Sequence, residues 1–333
     1  MPMTKRLLAP LMMSALLASS AFAAPSSEQL SPEQLQQQFI DSQSQQGFSR
    51  TEVQQFIASA KFEPKIIEAM TKPWEAKPWY KYYPIFLTDD RLQAGLTFWR
   101  QHETTIARAA EQYQVDPQVI VAIIGIETKY GKVMGNYPVK DALYTLGFHY
   151  PPRADFFRRE FGKFMQLVKA EQLDANSTLG SYAGAMGFGQ FIPSSYLAYA
   201  VDFDGDGRRD LLNSADDAIG SVANYFHQHG WQAGGLVALP LATTATPTAA
   251  VWSGKPLNQS VNDILSPEVA LQTSVDLDIS QAAMLIELEQ AQHSDYWLGL
   301  KNFYVITRYN RSPLYAMAVY QFSEQLRKAH ASQ

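Results

Sequence analysis

The chain has 333 residues, of which 46% are hydrophobic, 12% aromatic and 18% charged, and 27 basic side chains stand against 32 acidic ones for a formal charge of −5. That balance excludes a disordered, charge-rich polymer; with no run of Lys or Arg it also argues against a nucleic-acid partner, since phosphate binding needs clustered positive charge. Cysteine is absent, which excludes disulfides, thiol nucleophiles, thiolate metal sites and lipid attachment through an N-terminal cysteine.

Lys5 and Arg6 precede an apolar stretch from Leu7 to Ala18, and Ala21-Phe22-Ala23 follows. A basic start, a short greasy run and a small-x-small ending predict a secretory signal over residues 1–23. The run falls short of the ~20 apolar residues of a spanning helix, as does Val119 to Ile126, so a soluble protein outside the cytoplasm with no membrane anchor is expected. Ser31-Pro32 reads as an N-cap with proline at the first helical position, and Gly47 as a stop. Ser49-Arg50-Thr51-Glu52 matches a capping box, with Val53, Phe56 and Ile57 as the apolar stripe behind it. The stretch holding Pro73, Trp74, Pro78, Trp79, Tyr80, Tyr82, Tyr83 and Pro84 predicts an extended aromatic linker. Helical periodicity covers Asp90 to Tyr113; Asp116-Pro117 opens another helix toward Tyr130, and Phe156 to Val168 and Asp216 to His229 read as helices. Beyond Leu236 the character changes. Val275, Leu277 and Ile279 alternate with Asp276 and Asp278, Ile286 and Leu288 alternate with Glu287 and Glu289, and Phe303 to Ile306 is apolar; each predicts a strand. Ser312-Pro313 starts a last helix.

Glu127 is the most informative carboxylate. It continues the face of Val119, Ile120, Ile123 and Ile124 near a helix end. Desolvation there penalises the charged form and raises the pKa, which is what a general acid at neutral pH requires. The alternatives from helix geometry alone are a frayed, solvated end or an ion pair with a buried Arg. A second signal is Asp202-Phe203-Asp204-Gly205-Asp206-Gly207-Arg208-Arg209-Asp210-Leu211-Leu212-Asn213, which follows an EF-hand calcium loop. Asp202, Asp204, Asp206 and Asp210 take positions 1, 3, 5 and 9, Gly207 the turn, and Arg208 offers its carbonyl. Asn213 replaces the usual bidentate glutamate, with Asp216 or Asp217 available to compensate; an Asx/Gly turn of similar appearance is the alternative. Gly180 to Gln190 interleaves small residues with aromatics and lacks the ending of a phosphate loop, which suits a flat ligand such as a sugar ring or a tightly packed helix junction. Tyr309-Asn310 is a fourth candidate.

Together these motifs resemble the lytic murein transglycosylases, specifically the lytic transglycosylase B family. The likeness is carried by Ile123-Ile124-Gly125-Ile126-Glu127-Thr128-Lys129-Tyr130-Gly131, by Ser181 to Tyr196, by the calcium loop, by Ala218 to Phe226 and by Thr307-Arg308-Tyr309-Asn310. The resemblance implies an α+β, mainly α fold: a lysozyme-like core domain with a helical domain and a small β insert. The implied layout is a helical segment and aromatic linker over 24–90, a catalytic core over 91–235, a small β domain over 236–306 and a closing helix over 307–333. It implies cleavage of the β-1,4 bond between N-acetylmuramic acid and N-acetylglucosamine in peptidoglycan by a soluble periplasmic enzyme. Glu127 would act as acid and then as base, closing a 1,6-anhydro ring. Ser181, Gln190, Tyr309 and Asn310 match positions that hold the sugar or orient the glutamate, and Tyr82, Tyr225 and Tyr315 match groove-lining tyrosines. One structural Ca²⁺ and no organic cofactor are implied. Glycan strands are the implied partner, with enzymes of wall synthesis or division as candidate protein partners. The rivals are a hydrolytic muramidase of the same fold, with Asp141 or Asp155 as a second carboxylate, and a non-catalytic wall-binding protein.

Overall fold

The computed structural model describes residues 30–71, 77–254 and 256–333. The secretory reading of residues 1–23 lies outside them, as do Pro73 and Trp74. Three helices come first: α1 (Pro32–Ser44), α2 (Arg50–Ala58) and α3 (Pro64–Thr71). Ser31 and Ser49 form capping boxes with Gln34 and Glu52, so the first amides of α1 and α2 find partners without tertiary help.

The aromatic stretch after Pro78 is helical, not extended. Trp79–Tyr82 forms a one-turn helix, α4, and Tyr83–Ile85 a 3-10 turn. Pro78 stands just before the first turn and Pro84 within the first turn of the second, where a missing N–H costs nothing. Burial of Trp79 and Tyr82 holds the segment in place. The helix expected from Asp90 to Tyr113 is two, α5 (Asp89–Gln101) and α6 (Glu103–Tyr113). They break at His102, whose ring lies tilted against Phe98 at 4.6 Å and whose Nδ1 lies 3.1 Å from Asp216.

Next comes α7 (Pro117–Thr128), and every residue from Val119 to Ile126 is buried. A helix apolar all round belongs in the interior, and the later helices wrap it. Then follow β1 (Tyr137–Pro138), α8 (Val139–His149), α9 (Ala154–Glu171), β2 (Leu179–Gly180), α10 (Pro193–Tyr199) and α11 (Ala215–Gln228). Periodicity does not announce α8, because it is buried on nearly every face and has no polar stripe. Phe39, Phe148 and Phe161 lock α1, α8 and α9 together through ring contacts of 5.3–5.8 Å.

A five-stranded antiparallel sheet occupies residues 238–299, in the order β4–β6–β7–β3–β5. Its members are β3 (Ala238–Thr243), β4 (Gln259–Ser260), β5 (Val269–Leu271), β6 (Ala282–Glu289) and β7 (Ser294–Gly299), with α12 (Val261–Ile264) after β4. Side chains alternate across β6. Met284, Ile286 and Leu288 join the main core, whereas Ala283 and Leu285 join Leu239, Leu241, Val261 and Leu298 in a smaller one.

Two expected strands are absent. Val275, Leu277 and Ile279 lie in a loop: Ile279 is 55% exposed, and Asp278 accepts from the Ser280 N–H to fold the chain back. No neighbouring strand takes up their amides, and alternation alone does not make a ladder. Phe303 to Ile306 belongs to a helix, α13 (Lys301–Tyr309). Its buried positions are Asn302, Phe303, Val305, Ile306 and Thr307, a helical stripe that a four-residue apolar run cannot reveal. The last helix, α14 (Pro313–Ala331), starts where Ser312-Pro313 places it. Helices α5, α6, α11 and α14 all pack on α7. Among the described residues no helix is long and apolar enough to cross a membrane.

Candidate active site

Glu127 sits in the last turn of α7, which Lys129, Tyr130 and Gly131 end with three successive left-handed residues. Its side chain reaches a partly exposed surface, yet protein crowds the carboxyl. Desolvation pushes its pKa up to about 7, against a smaller lowering by the Tyr315 hydroxyl, which donates to Glu127 Oε1 at 2.5 Å. Tyr315 is delivered by local chain chemistry. Ser312 caps α14 by accepting from the Tyr315 N–H, and Asn310 Oδ1 accepts from the Ser312 N–H at 3.0 Å.

Tyr309, at the end of α13, donates to the Gly189 carbonyl at 2.5 Å. Burial first, and then the charge of Glu127, hold the hydroxyls of Tyr309 and Tyr315 well above the ordinary tyrosine range, so both stay neutral donors. Tyr225 of α11 donates to the Arg308 carbonyl at 2.5 Å, meets the Tyr309 ring edge-on at 4.8 Å and stacks on His229. Tyr82 is buried close enough to Tyr315 to contribute to its raised pKa.

The glycine-rich segment packs on the same helix end. Thr128, next to Glu127, donates to the Phe188 carbonyl at 2.9 Å. Gly187 has φ +74°, and a Cβ there would lie 2.2 Å from the Leu211 carbonyl oxygen, so only glycine lets this turn touch the acidic loop behind it. Gln190, also left-handed, donates through Nε2 to the carbonyls of Gly187 and Met134. Ser181 Oγ accepts from the N–H groups of Ala183 and Ala185. The structure therefore gathers Glu127, Tyr315, Tyr309, Tyr225 and Tyr82, while Ser181 bonds within the glycine-rich turns and Gln190 to Gly187 and Met134, neither of them to Glu127.

Two supporting residues escape the sequence reading. Arg91 is buried; its Nη1 donates to the Gly125 carbonyl at 2.6 Å and the Ile126 carbonyl at 3.3 Å, clamping the turn that carries Glu127. The Tyr130 hydroxyl fits against Gly125, where a Cβ would approach it to 2.3 Å. A lone Arg and a lone Tyr on helix ends carry no pattern that would single them out. Tyr315→Phe provides a direct check on the main hydrogen bond. Its hydroxyl lowers the pKa of Glu127, so removing it raises that pKa further and extends the protonated acid to higher pH. The alkaline limb of a pH–rate profile is expected to move upward.

In the acidic loop, oxygens of Asp202, Asp204 and Asp217 lie within 4.8 Å of one another. Asp217 is fully buried and accepts from the backbone N–H groups of Phe203, Asp204 and Asp210. Asp216 instead faces His102, so of the two compensating candidates only Asp217 enters the loop. Asp206 accepts from Arg208 N–H, and Asn213 Nδ2 donates to Asp210. Three hard oxygens converging at the mouth of a glycine-rich turn fit an ion such as Ca²⁺.

The transglycosylase SLT domain family matches residues 31–324. The membrane-bound lytic murein transglycosylase B of Escherichia coli strain K12 is 42% identical over 299 residues, spanning 86% of this chain and 81% of that protein. Soluble lytic transglycosylase SltB1 from Pseudomonas aeruginosa superposes with a TM-score of 0.82 at 42% identity, over 90% of this chain and 99% of its own. Escherichia coli lytic transglycosylase Slt35 in complex with calcium gives a TM-score of 0.80 at 41% identity, over 89% of this chain and 94% of its own.

Proposed function

This chain belongs to the transglycosylase SLT domain family and is a lytic transglycosylase of peptidoglycan, and on that premise we propose that Glu127 alone supplies the proton chemistry. As acid, Glu127 gives its proton to the glycosidic oxygen between N-acetylmuramic acid and N-acetylglucosamine while the C1–O bond breaks. The resulting carboxylate takes the proton of the muramyl 6-hydroxyl, whose oxygen bonds to C1 and closes a 1,6-anhydro ring. No water is consumed, and Glu127 ends protonated for the next cycle. The single observation that carries this reading is a carboxyl with its pKa at about 7, poised to be either donor or acceptor near neutral pH.

A retaining hydrolase of the lysozyme kind needs a second carboxylate about 5 Å away. The groups acting on Glu127 among the described residues are tyrosines. Asp141 accepts from the Lys61 N–H and Asp155 pairs with Arg158, and neither is among the groups acting on Glu127. Tyr315 steadies the charged form of Glu127, Tyr309 and Tyr225 form the adjoining wall, and Tyr82, Ser181, Gln190 and Asn310 shape the sugar path. The enzyme works in the periplasm, where its polymer lies, after loss of residues 1–23. A catalytic core of residues 91–235, the β region 236–306 and the closing segment from 307 fit this division of labour.

Ca²⁺ would be held by Asp202, Asp204 and Asp217, with Asp206, the Arg208 carbonyl, Asp210 and Asn213 as the remaining loop positions. When bound it neutralises carboxylates and tightens the loop behind Gly187; it takes no part in bond cleavage. Digesting peptidoglycan and weighing the fragments tests the reaction. Each new end is expected to lack one water relative to a reducing end, and ordinary reducing ends would mean hydrolysis instead.

A further inference from the structure

Outside the catalytic ring, a cleft of about 380 Å³ opens between α4, the β6–β7 hairpin and α14. Trp79, Tyr83 and Trp297 contribute aromatic surface to it, and Gln290, Gln321 and Gln325 contribute amides. Tyr83 is exposed and tilts against Trp79 at 5.5 Å. Gln321 and Gln325 lie one turn apart on α14, so both project toward the same opening. Among the described residues the side-chain amides of Gln321 and Gln325 and the indole N–H of Trp297 make no hydrogen bond, so these lining groups remain open to a ligand. Asp295 is fixed by Gln290 Nε2 at 2.6 Å and by His293 at 3.1 Å.

The chemistry of this lining selects a ligand class. Among the described residues no Lys or Arg lines the cleft, which disfavours phosphates and acidic peptides. Three amides and a carboxylate among nine lining residues are too polar for a lipid or an apolar helix. Aromatic rings beside neutral amides suit a sugar, whose C–H faces pack on rings while hydroxyl and N-acetyl groups meet amides. Trp79 stacks on Tyr82 at 6.3 Å, and Tyr82 borders Tyr315, so the cleft lies one aromatic pair away from the residue that holds Glu127.

We infer that this cleft is an outlying site for an N-acetylated hexosamine of the glycan strand, occupied while another stretch of the same strand lies at Glu127. The inference rests on peptidoglycan as substrate. A second grip on one polymer raises its effective concentration at the catalytic carboxyl without touching the chemistry.

The double variant Gln321→Ala/Gln325→Ala tests this, with Tyr83→Ala, on an exposed ring, as an independent second variant. Kinetics are compared on long glycan strands and on the disaccharide of N-acetylmuramic acid and N-acetylglucosamine, which places one sugar on each side of the scissile bond and leaves none for the cleft. For both variants KM on long strands is expected to rise about tenfold, the loss of two modest hydrogen bonds or one ring contact, with kcat unchanged. Values for the disaccharide should match the wild type. Calorimetry of tri-N-acetylchitotriose with Glu127→Gln protein should lose one of two binding events when the cleft variants are added. Unaltered long-strand KM in both variants, beside an active wild type, would overturn the cleft alone. A wild type that cleaves neither substrate would overturn the peptidoglycan reading and the cleft with it.

Discussion

Glu127→Gln is expected to lower the turnover of glycan strands by about a thousandfold or more, while strand binding survives. The amide keeps the shape of the carboxyl, and its carbonyl oxygen still accepts the Tyr315 hydrogen bond. It can neither give a proton to the leaving oxygen nor remove one from the 6-hydroxyl, so both halves of the reaction fail together. In the wild type the acid must be protonated, and activity should fall as pH rises through about 7. The same burial costs stability once the carboxyl would otherwise ionise. The folded pKa of about 7 lies above the ordinary 4.5. Below pH 4.5 both states hold the proton. Between 4.5 and 7 the unfolded chain ionises and the folded chain does not, so stability declines with rising pH and levels off above 7. The accumulated penalty is at most ~3 kcal/mol. Glu127→Gln should therefore be inactive and also more stable than wild type in urea at pH 8, with the gain gone at pH 4. An inactive variant with no alkaline gain would mean that the carboxyl is solvated, and would remove the basis for its acid role.

The residues legible in the sequence are those whose roles are written locally. Ser31, Ser49 and Ser312 announce helix starts because a cap needs only its own next three residues. Glu127 shows itself because helical spacing places it on an apolar face, and the loop from Asp202 shows itself because carboxylates at alternating positions have few other uses. What stayed hidden depends on partners far along the chain. Arg91 acts through carbonyls thirty-four and thirty-five residues away. Phe303 to Ile306 is a helix because Asn302 bonds back to Gln232 and Gly235, contacts that a short apolar run does not encode. Trp79 to Ile85 winds into helical turns because the rings of Trp79 and Tyr82 are buried, although its prolines suggested an extended path. Tyr315 gains its place beside Glu127 only when α14 crosses α7.

Replacing Asp217 should produce the largest change in stability. Its Oδ1 accepts from Phe203 N–H at 2.7 Å and Asp204 N–H at 3.2 Å, and its Oδ2 accepts from Asp210 N–H at 2.7 Å. Asp217→Ala strands one buried and two part-buried amides; with about 1 kcal/mol for each part-buried one and about 1–3 kcal/mol for the buried one, a loss of roughly 3–5 kcal/mol is expected. Asp217→Asn keeps one oxygen for Phe203 and Asp204 and should fold, but it gives up the charge that a hard cation needs. Added Ca²⁺ is expected to raise the Tm of the wild type, because an ion that binds only the folded state adds about 2.7 kcal/mol at a hundredfold excess over Kd. That rise should vanish in Asp217→Asn and in Asp202→Ala. Asp202 is exposed and bonds only within its own turn, so the second variant should cost little stability without calcium. Because Phe188 N–H donates to the Leu211 carbonyl, a loop slackened by either change is transmitted to the turn that meets Thr128, beside Glu127. Activity should then become calcium-insensitive together with the melting curve. A rise in Tm that persists in both variants would locate the ion outside this loop and break that connection.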